Sequence, residues 1–241
     1  MTTCPETDIA TRLRGRVLVV TGAGVSAESD IPTFRGAGGY WRNHDPMQLA
    51  TPEAFHRDPE LVWRWYDERR TRIRSARPNR AHEAIAALVR LSRDLLLVTQ
   101  NVDDLHERGG SPVDRLVHIH GEIFVTRCSR CEYATRDTIT VLPPPACPRC
   151  ASMLRPGVVW FGEAIDPSLV ARVERFLHDP VDVVLAVGTT AAFGYIVDWM
   201  TRGGLLVEIN PDETAASHLA DHVIRRPAGE SLPELIACAG M

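Results

Sequence analysis

Five short apolar runs, at residues 17–20, 95–98, 117–119, 183–187 and 205–209, constrain the fold of this chain more than any other feature. They are rich in Val and Leu, too short for helices and too continuous for strands with one wetted face. Strands of that kind are buried on both faces, which calls for a parallel sheet covered by helices. Helical patterning fills the gaps. Apolar residues recur at helical spacing over 81–91 and 168–177, and Ser231-Leu232-Pro233 opens a final helix. The alternation predicts an α/β fold with a doubly wound parallel sheet. At 241 residues and 44% hydrophobic content, the chain can build one large domain or a core with an attached module.

Two segments break the alternation. Residues 45–80 carry Trp63, Trp65 and Tyr66 beside a dense arginine run at 69–77, and read as a helical insertion. Residues 128–150 contain Pro143-Pro144-Pro145 and little apolar patterning, so they need an external staple. The staple is in the sequence. Cys128-x-x-Cys131 and Cys147-x-x-Cys150, fifteen residues apart, have the spacing of a four-thiolate zinc ribbon. Four thiolates leave no open coordination position, so the zinc is structural and the chemistry lies elsewhere.

Residues 1–16 lack the apolar core of a secretory signal, and no apolar run approaches the roughly 20 residues that span a bilayer. With thiols reserved for metal, a cytoplasmic protein is expected. A net charge of -4 argues against an electrostatic grip on nucleic acid or anionic membrane. All 27 basic residues other than histidine are arginine, so the chain offers no internal lysine for acylation.

The first apolar run leads into Thr21-Gly22-Ala23-Gly24-Val25-Ser26-Ala27, a G-x-G-x-x-A turn where a dinucleotide diphosphate can rest on backbone N–H groups. The same spacing also serves a merely tight strand–helix turn. A dehydrogenase would add a second strand ending in an acid about 20 residues on. Here a glycine-rich loop follows instead, and Asp45 has no apolar run before it. The turn therefore suits a dinucleotide held under a long loop for a purpose other than hydride transfer. Thr99-Gln100-Asn101-Val102-Asp103-Asp104 follows the second run, at a strand end where such sheets place ligands, or simply caps the next helix. His118-Ile119-His120 puts two imidazoles on one strand face, either a general base or satisfied core groups. Residues 155–163 form an extended apolar stretch suited to taking a peptide by strand addition.

Together these segments resemble the sirtuin family of NAD-dependent protein lysine deacylases. The resemblance rests on Gly22 through Ser29, Ile31-Pro32-Thr33-Phe34-Arg35, Gln100-Asn101-Val102-Asp103, His120-Gly121-Glu122, the four cysteines, Val159-Trp160-Phe161-Gly162-Glu163 and Gly188-Thr189-Thr190. It implies one catalytic domain over 1–241. A Rossmann-type part would span 1–43, 81–122 and 157–241, with a small domain made of a helical insertion (44–80) and a zinc ribbon (123–156). NAD and an extended acyl-lysine peptide would meet in the cleft between them, in a chain for which a monomer suffices.

The resemblance also implies site roles. Gly22, Ala23, Gly24, Ser26, Ala27, Phe34, Arg35 and Trp41 would bind the cofactor, with Ser26 and Arg35 near its phosphates and ribose. Gln100, Asn101, Val102 and Asp103 would line the nicotinamide-ribose pocket. Gly188, Thr189, Thr190, Asn210 and Ala228 would hold the adenosine side, and Val159 would accept the substrate amide. The acyl oxygen would attack the nicotinamide ribose as nicotinamide departs. His120 would then act as general base on a ribose hydroxyl, with Asn101 and Asp103 supporting catalysis, to give O-acyl-ADP-ribose. Tyr66 and Arg69, at the i, i+3 spacing of one helix face, resemble the pair that reads a carboxylate in the branch removing malonyl, succinyl and glutaryl groups. The same residues also fit a solvated basic helix, and the cleft would equally serve an NAD glycohydrolase or ADP-ribosyltransferase. Three positions depart from the family pattern: Asp30 in place of Gly, Gly157 in place of a larger residue, and Tyr195 where Pro is frequent.

Overall fold

The structure, a computed structural model, describes residues 5–33, 39, 45–136 and 144–240. The chain opens with α1 (Pro5–Arg12), β1 (Arg16–Thr21) and a 3-10 turn (Ala23–Ser29). Four helices follow: α2 (Pro46–Leu49), α3 (Pro52–Arg57), α4 (Pro59–Ser75) and α5 (Arg80–Leu91). Next come β2 (Asp94–Thr99), α6 (Leu105–Arg108), β3 (Leu116–His118), β4 (Gly121–Cys128), β5 (Ala134–Arg136) and β6 (Leu154–Val158). The last stretch holds α7 (Pro167–Leu177), β7 (Val183–Val187), α8 (Gly194–Thr201), β8 (Leu205–Ile209), β9 (His222–Ile224) and α9 (Ala228–Gly240).

Among the described residues, six parallel strands form one sheet in the order β3-β2-β1-β7-β8-β9, and β5-β4-β6 form a second, antiparallel one. Val17 pairs with Leu95 on one side and Val183 on the other, so the strand order reverses direction at β1/β7. That reversal opens the crevice where doubly wound sheets bind ligands. The continuous apolar runs are explained by two cores. Val17, Val19, Leu95, Leu97, Leu185 and Val207 pack under α1, α5 and α9, while the alternate residues Leu18, Val20, Leu96, Val98 and Val184 pack under α7 and α8. Each such side chain contributes roughly 1.5–3 kcal/mol by burial.

A third core joins the insertion to the second sheet: Phe55, Trp63, Trp65 and Tyr66 meet Ile123, Phe124, Val158 and Trp160. Helix α4 starts where Asp58 accepts the Leu61 N–H at 2.9 Å, with Pro59 in the first turn. Its Arg70 is fully buried and donates to the Ile123 carbonyl at 2.7 Å and the Val125 carbonyl at 3.2 Å, so part of the arginine run is structural staple. Gly157 sits where β6 runs close to β4; a Cβ there would stand 2.7 Å from the Val125 side chain. The departure from a larger residue thus matches the close approach of the strands.

Two sequence expectations are corrected. The final helix begins at Ala228, not Ser231, because the Glu28 carboxylate accepts the Gly229 N–H at 2.9 Å and Ser231 N–H bonds back to the Pro227 carbonyl, which fixes the first turn upstream of Pro233. His118 and His120 do not share a strand face. Strand β3 ends at His118, and the chain turns through Ile119 and His120 before β4. The edge strand β9 was not marked by any apolar run, since its residues are half-buried or exposed.

Candidate active site

The loops after β1 and β7 touch at the crevice. Gly22 N–H donates to the Val187 carbonyl at 3.1 Å and Gly24 N–H to the Gly188 carbonyl at 2.8 Å. A Cβ on Gly24 would stand 2.7 Å from the Gly188 oxygen, so only glycine permits this approach. Gln100, after β2, ties both loops together by donating to the Thr21 carbonyl at 3.1 Å and the Thr189 hydroxyl at 2.8 Å. Asn210, after β8, donates to the Thr189 carbonyl at 3.1 Å.

These strand ends enclose a cavity of about 560 Å³. Gly22, Ala23, Gly24, Gln100, Asn101, Val102, His120, Gly188, Thr189, Thr190 and Asn210 line it from the large-sheet side, Tyr66 and Arg69 from α4, and Val159 from just after β6. Ser26 and Asp103 are buried outside its wall, Ala27 is exposed and Ala228 is buried; the structure does not bring these four to the cavity surface. Phe34, Arg35 and Trp41 lie outside the described residues.

Ser26 and Asp103 instead form a knot behind Asn101. The Ser26 hydroxyl donates to Asp103 at 3.1 Å, Asn101 Nδ2 donates to Ser26 Oγ at 3.1 Å, and the other Asp103 oxygen accepts the Leu105 N–H at 3.1 Å. Burial raises the Asp103 pKa, opposed by those two donors. Asp103 thus holds the first N–H of α6 from the residue before its N-cap, Asp104, while the knot fixes the Asn101 amide at the cavity wall. Asp30 closes the 3-10 turn in a left-handed conformation (φ 61°, ψ 22°), which Asp tolerates better than most residues. Its side chain lines a separate surface depression with Arg72, Arg77 and Arg80.

The two histidines have different partners. His118 Nε2 meets Glu107 at 2.9 Å and its Nδ1 donates to the Asn101 carbonyl at 3.2 Å. Burial opposes its charge, but Glu107 prevails and holds its pKa above the ordinary value. His120 Nδ1 lies 3.0 Å from the Gln100 carbonyl. A carbonyl only accepts, so Nδ1 carries the proton and Nε2 keeps its lone pair. Burial lowers the His120 pKa, with the Gln100 carbonyl opposing, so the imidazole is a neutral base near pH 7.

In the small domain, Tyr66 Oη accepts the Trp160 indole N–H at 2.9 Å, and the Arg69 guanidinium stacks 4.6 Å from the Trp65 ring and 5.3 Å from the Tyr66 ring. Burial raises the Tyr66 pKa against the pull of Arg69. Sequence reasoning missed the frame around Val159. Arg155 lies 3.3 Å over the Trp160 ring, donates to the Val158 carbonyl at 2.8 Å and pairs with Glu163, which accepts the Trp160 N–H at 2.8 Å. The Arg and Glu eight residues apart were visible, but their pairing depends on the turn between them. Phe193 and Tyr195, both at the cavity wall, were also missed as neighbours of His120.

The four cysteines converge at the far end of the second sheet. Their sulfurs all lie within 4.8 Å of one another, with Cys128–Cys150 at 3.5 Å and Cys131–Cys147 at 3.6 Å. Tetrahedral zinc with sulfurs at about 2.3 Å needs sulfur–sulfur edges of about 3.8 Å, so the set fits. Backbone N–H groups of Arg130, Cys131 and Arg149 point at Cys128 and Cys147 sulfurs at 3.3–3.4 Å, as thiolates require.

Comparison with known proteins agrees with this geometry. The Sir2 family profile matches residues 22–193. NAD-dependent protein deacylase 1 of Archaeoglobus fulgidus is 46% identical over 226 residues, covering 91% of each chain. An ADP-ribose complex of a mutant Sir2 homologue superposes with TM-score 0.90 at 42% identity, over 98% of this chain and 97% of the other. An NAD complex of a Sir2 homologue gives 0.86 at 43% identity, over 96% and 92%. A histidine-to-alanine Sir2 variant with a deacetylated p53 peptide and 3′-O-acetyl ADP-ribose gives 0.83 at 26% identity, over 98% and 97%.

Proposed function

Because the chain belongs to the Sir2 family, we propose that it is an NAD-dependent protein-lysine deacylase that favours acyl groups ending in a carboxylate. The observation that carries the first part is the place of His120, its Nδ1 held by the Gln100 carbonyl, at the wall of a cavity built on a dinucleotide-type glycine turn. Bound NAD would supply the ribose carbon that takes the acyl oxygen as its bond to nicotinamide breaks, with nicotinamide, the freed lysine and O-acyl-ADP-ribose as products. The residues present fit that ligand: the touching Gly22–Gly24 and Gly188–Thr190 loops leave backbone room for its diphosphate, and Gln100 and Asn101 face the same space. His120 Nε2 takes up a proton from a hydroxyl presented to it, and the Ser26–Asp103 knot keeps the Asn101 amide from turning. The zinc would be held by Cys128, Cys131, Cys147 and Cys150 and has no part in the chemistry.

The substrate is an acylated lysine on an extended peptide. Val159 lines the cavity, and its N–H is taken by the His120 carbonyl at 2.8 Å, so its carbonyl is the group that meets a peptide N–H. Reduced thiols at the metal site support a cytoplasmic setting.

The acyl preference rests on Tyr66 and Arg69. An unpaired carboxylate in a largely apolar cleft is costly, and Arg69 offsets its charge. Tyr66 already accepts from Trp160, which leaves its own O–H to donate. Such contacts contribute about 2–4 kcal/mol, or about 30- to 1000-fold in kcat/KM. The wild type should prefer succinyl-lysine over acetyl-lysine peptides, and Arg69→Met with Tyr66→Phe should reverse the order mainly by loss of succinyl activity. A wild type that favours acetyl, or a double variant with unchanged selectivity, refutes the preference. Mass spectrometry of the same reactions separates O-acyl-ADP-ribose from the free ADP-ribose that a glycohydrolase would release.

A further inference from the structure

Tyr195 departs from the resembling family's frequent proline, and it touches the proposed base. Its hydroxyl lies 2.5 Å from His120 Nε2. With Nδ1 committed to the Gln100 carbonyl, Nε2 is an acceptor, so the phenol donates and occupies the lone pair that proton uptake requires. The phenol is not held there by chance. Tyr195 is in the first turn of α8, stacked on Phe193 at 5.8 Å, with its ring edge-on to Trp199 at 5.2 Å. Trp199 is in turn anchored by its indole N–H on Glu174 at 2.7 Å. The imidazole does not need the phenol for its own orientation, because the Gln100 carbonyl holds one nitrogen and Phe193 packs edge-on at 5.4 Å. A proline at this position could donate nothing to the base.

We propose that Tyr195 caps His120 Nε2 and so acts through the base, and that a substrate hydroxyl must displace the phenol before the base can act. The proposal rests on His120 being the base of a deacylase. The cap therefore costs turnover, because the bond from the phenol must break before the base can take a proton. Burial, which pushes the Tyr195 pKa up to about 12, keeps the phenol protonated and donating throughout the working range.

The test is Tyr195→Phe, which removes one oxygen and keeps the ring stack. A hydrogen bond of ordinary strength to the base predicts that kcat rises roughly 2- to 10-fold. In ¹⁵N-histidine-labelled protein, the His120 Nε2 resonance should move toward that of an unbonded imidazole nitrogen. If the Phe variant does not fold, Tyr195→Met removes the same hydroxyl. An unchanged or lower kcat, or an Nε2 resonance that does not move, overturns the cap. The NMR arm requires no turnover, so a wild type lacking NAD-dependent deacylation would refute the deacylase reading while leaving the cap to be judged by its spectrum.

Discussion

His82 and His106 meet edge to face at 4.9 Å with no exposed surface, beneath the loop that carries Ser26. Burial lowers the His82 pKa from 6.5 to about 4 and holds His106 well below its ordinary value. A histidine that resists protonation only in the folded state contributes stability that is complete above pH 6.5 and is lost as pH falls toward 4. For His82 the loss is of order 3 kcal/mol. The midpoint of thermal unfolding should therefore fall between pH 6.5 and 4.5, and His82→Gln should flatten that slope; equal slopes in both proteins would contradict it. His118 acts with the opposite sign. Its raised pKa gives stability present below pH 6.5 and lost as pH rises through the folded value. None of this was legible in the sequence. In the sequence His82 only falls within the helical pattern of 81–91; in the structure it completes a cap with Asn79, and its burial depends on His106 arriving from another loop.

At the level of elements, the strands were legible because burial on both faces leaves a continuous apolar run, while β9 and the β4–β6 pairing were not. Those strands alternate or run short, and β6 contains Pro156 and Gly157. The cysteine spacing was legible for a different reason: two knuckles and one ion specify a local geometry without any distant partner. Around that site the apolar core is small, consisting of Cys128, Cys147 and Leu154 with Tyr133 against them. Removing the metal leaves four sulfurs within 4.8 Å with nothing to hold them together. Chelation, or Cys147→Ser, should release about one zinc per chain and open the backbone beside the four cysteines to protease, while β1, β2 and β7 stay protected from hydrogen exchange. Folded, active protein without zinc would count against this.

For the molecule as a whole, the site is where three cores meet, and residues from both ends of the chain complete it. A ligand that needs this assembly binds only the folded state, so ADP-ribose at one hundred times its dissociation constant should add about 2.7 kcal/mol to stability. Gly24→Ala, which drives a methyl group against Gly188, should lower stability and abolish the ligand's effect; calorimetry with and without ADP-ribose reads both. The cleft was anticipated through the family resemblance that the glycine turn, the amide cluster and the Gly-Thr-Thr segment carry. The contact of Tyr195 with His120 was not, since it depends on how α8 is aimed by Trp199 and Glu174.

The reversal of strand order at β1 also shapes how the protein is made. During synthesis β1 gains its first neighbour when residues 94–99 emerge, but its other edge pairs only with residues 183–187. For much of its translation the nascent chain therefore carries an open edge on a strand whose centre, Val17 to Val20, is apolar, the kind of template that recruits other chains. A messenger cut short before β7 would yield a sticky fragment, not a smaller enzyme.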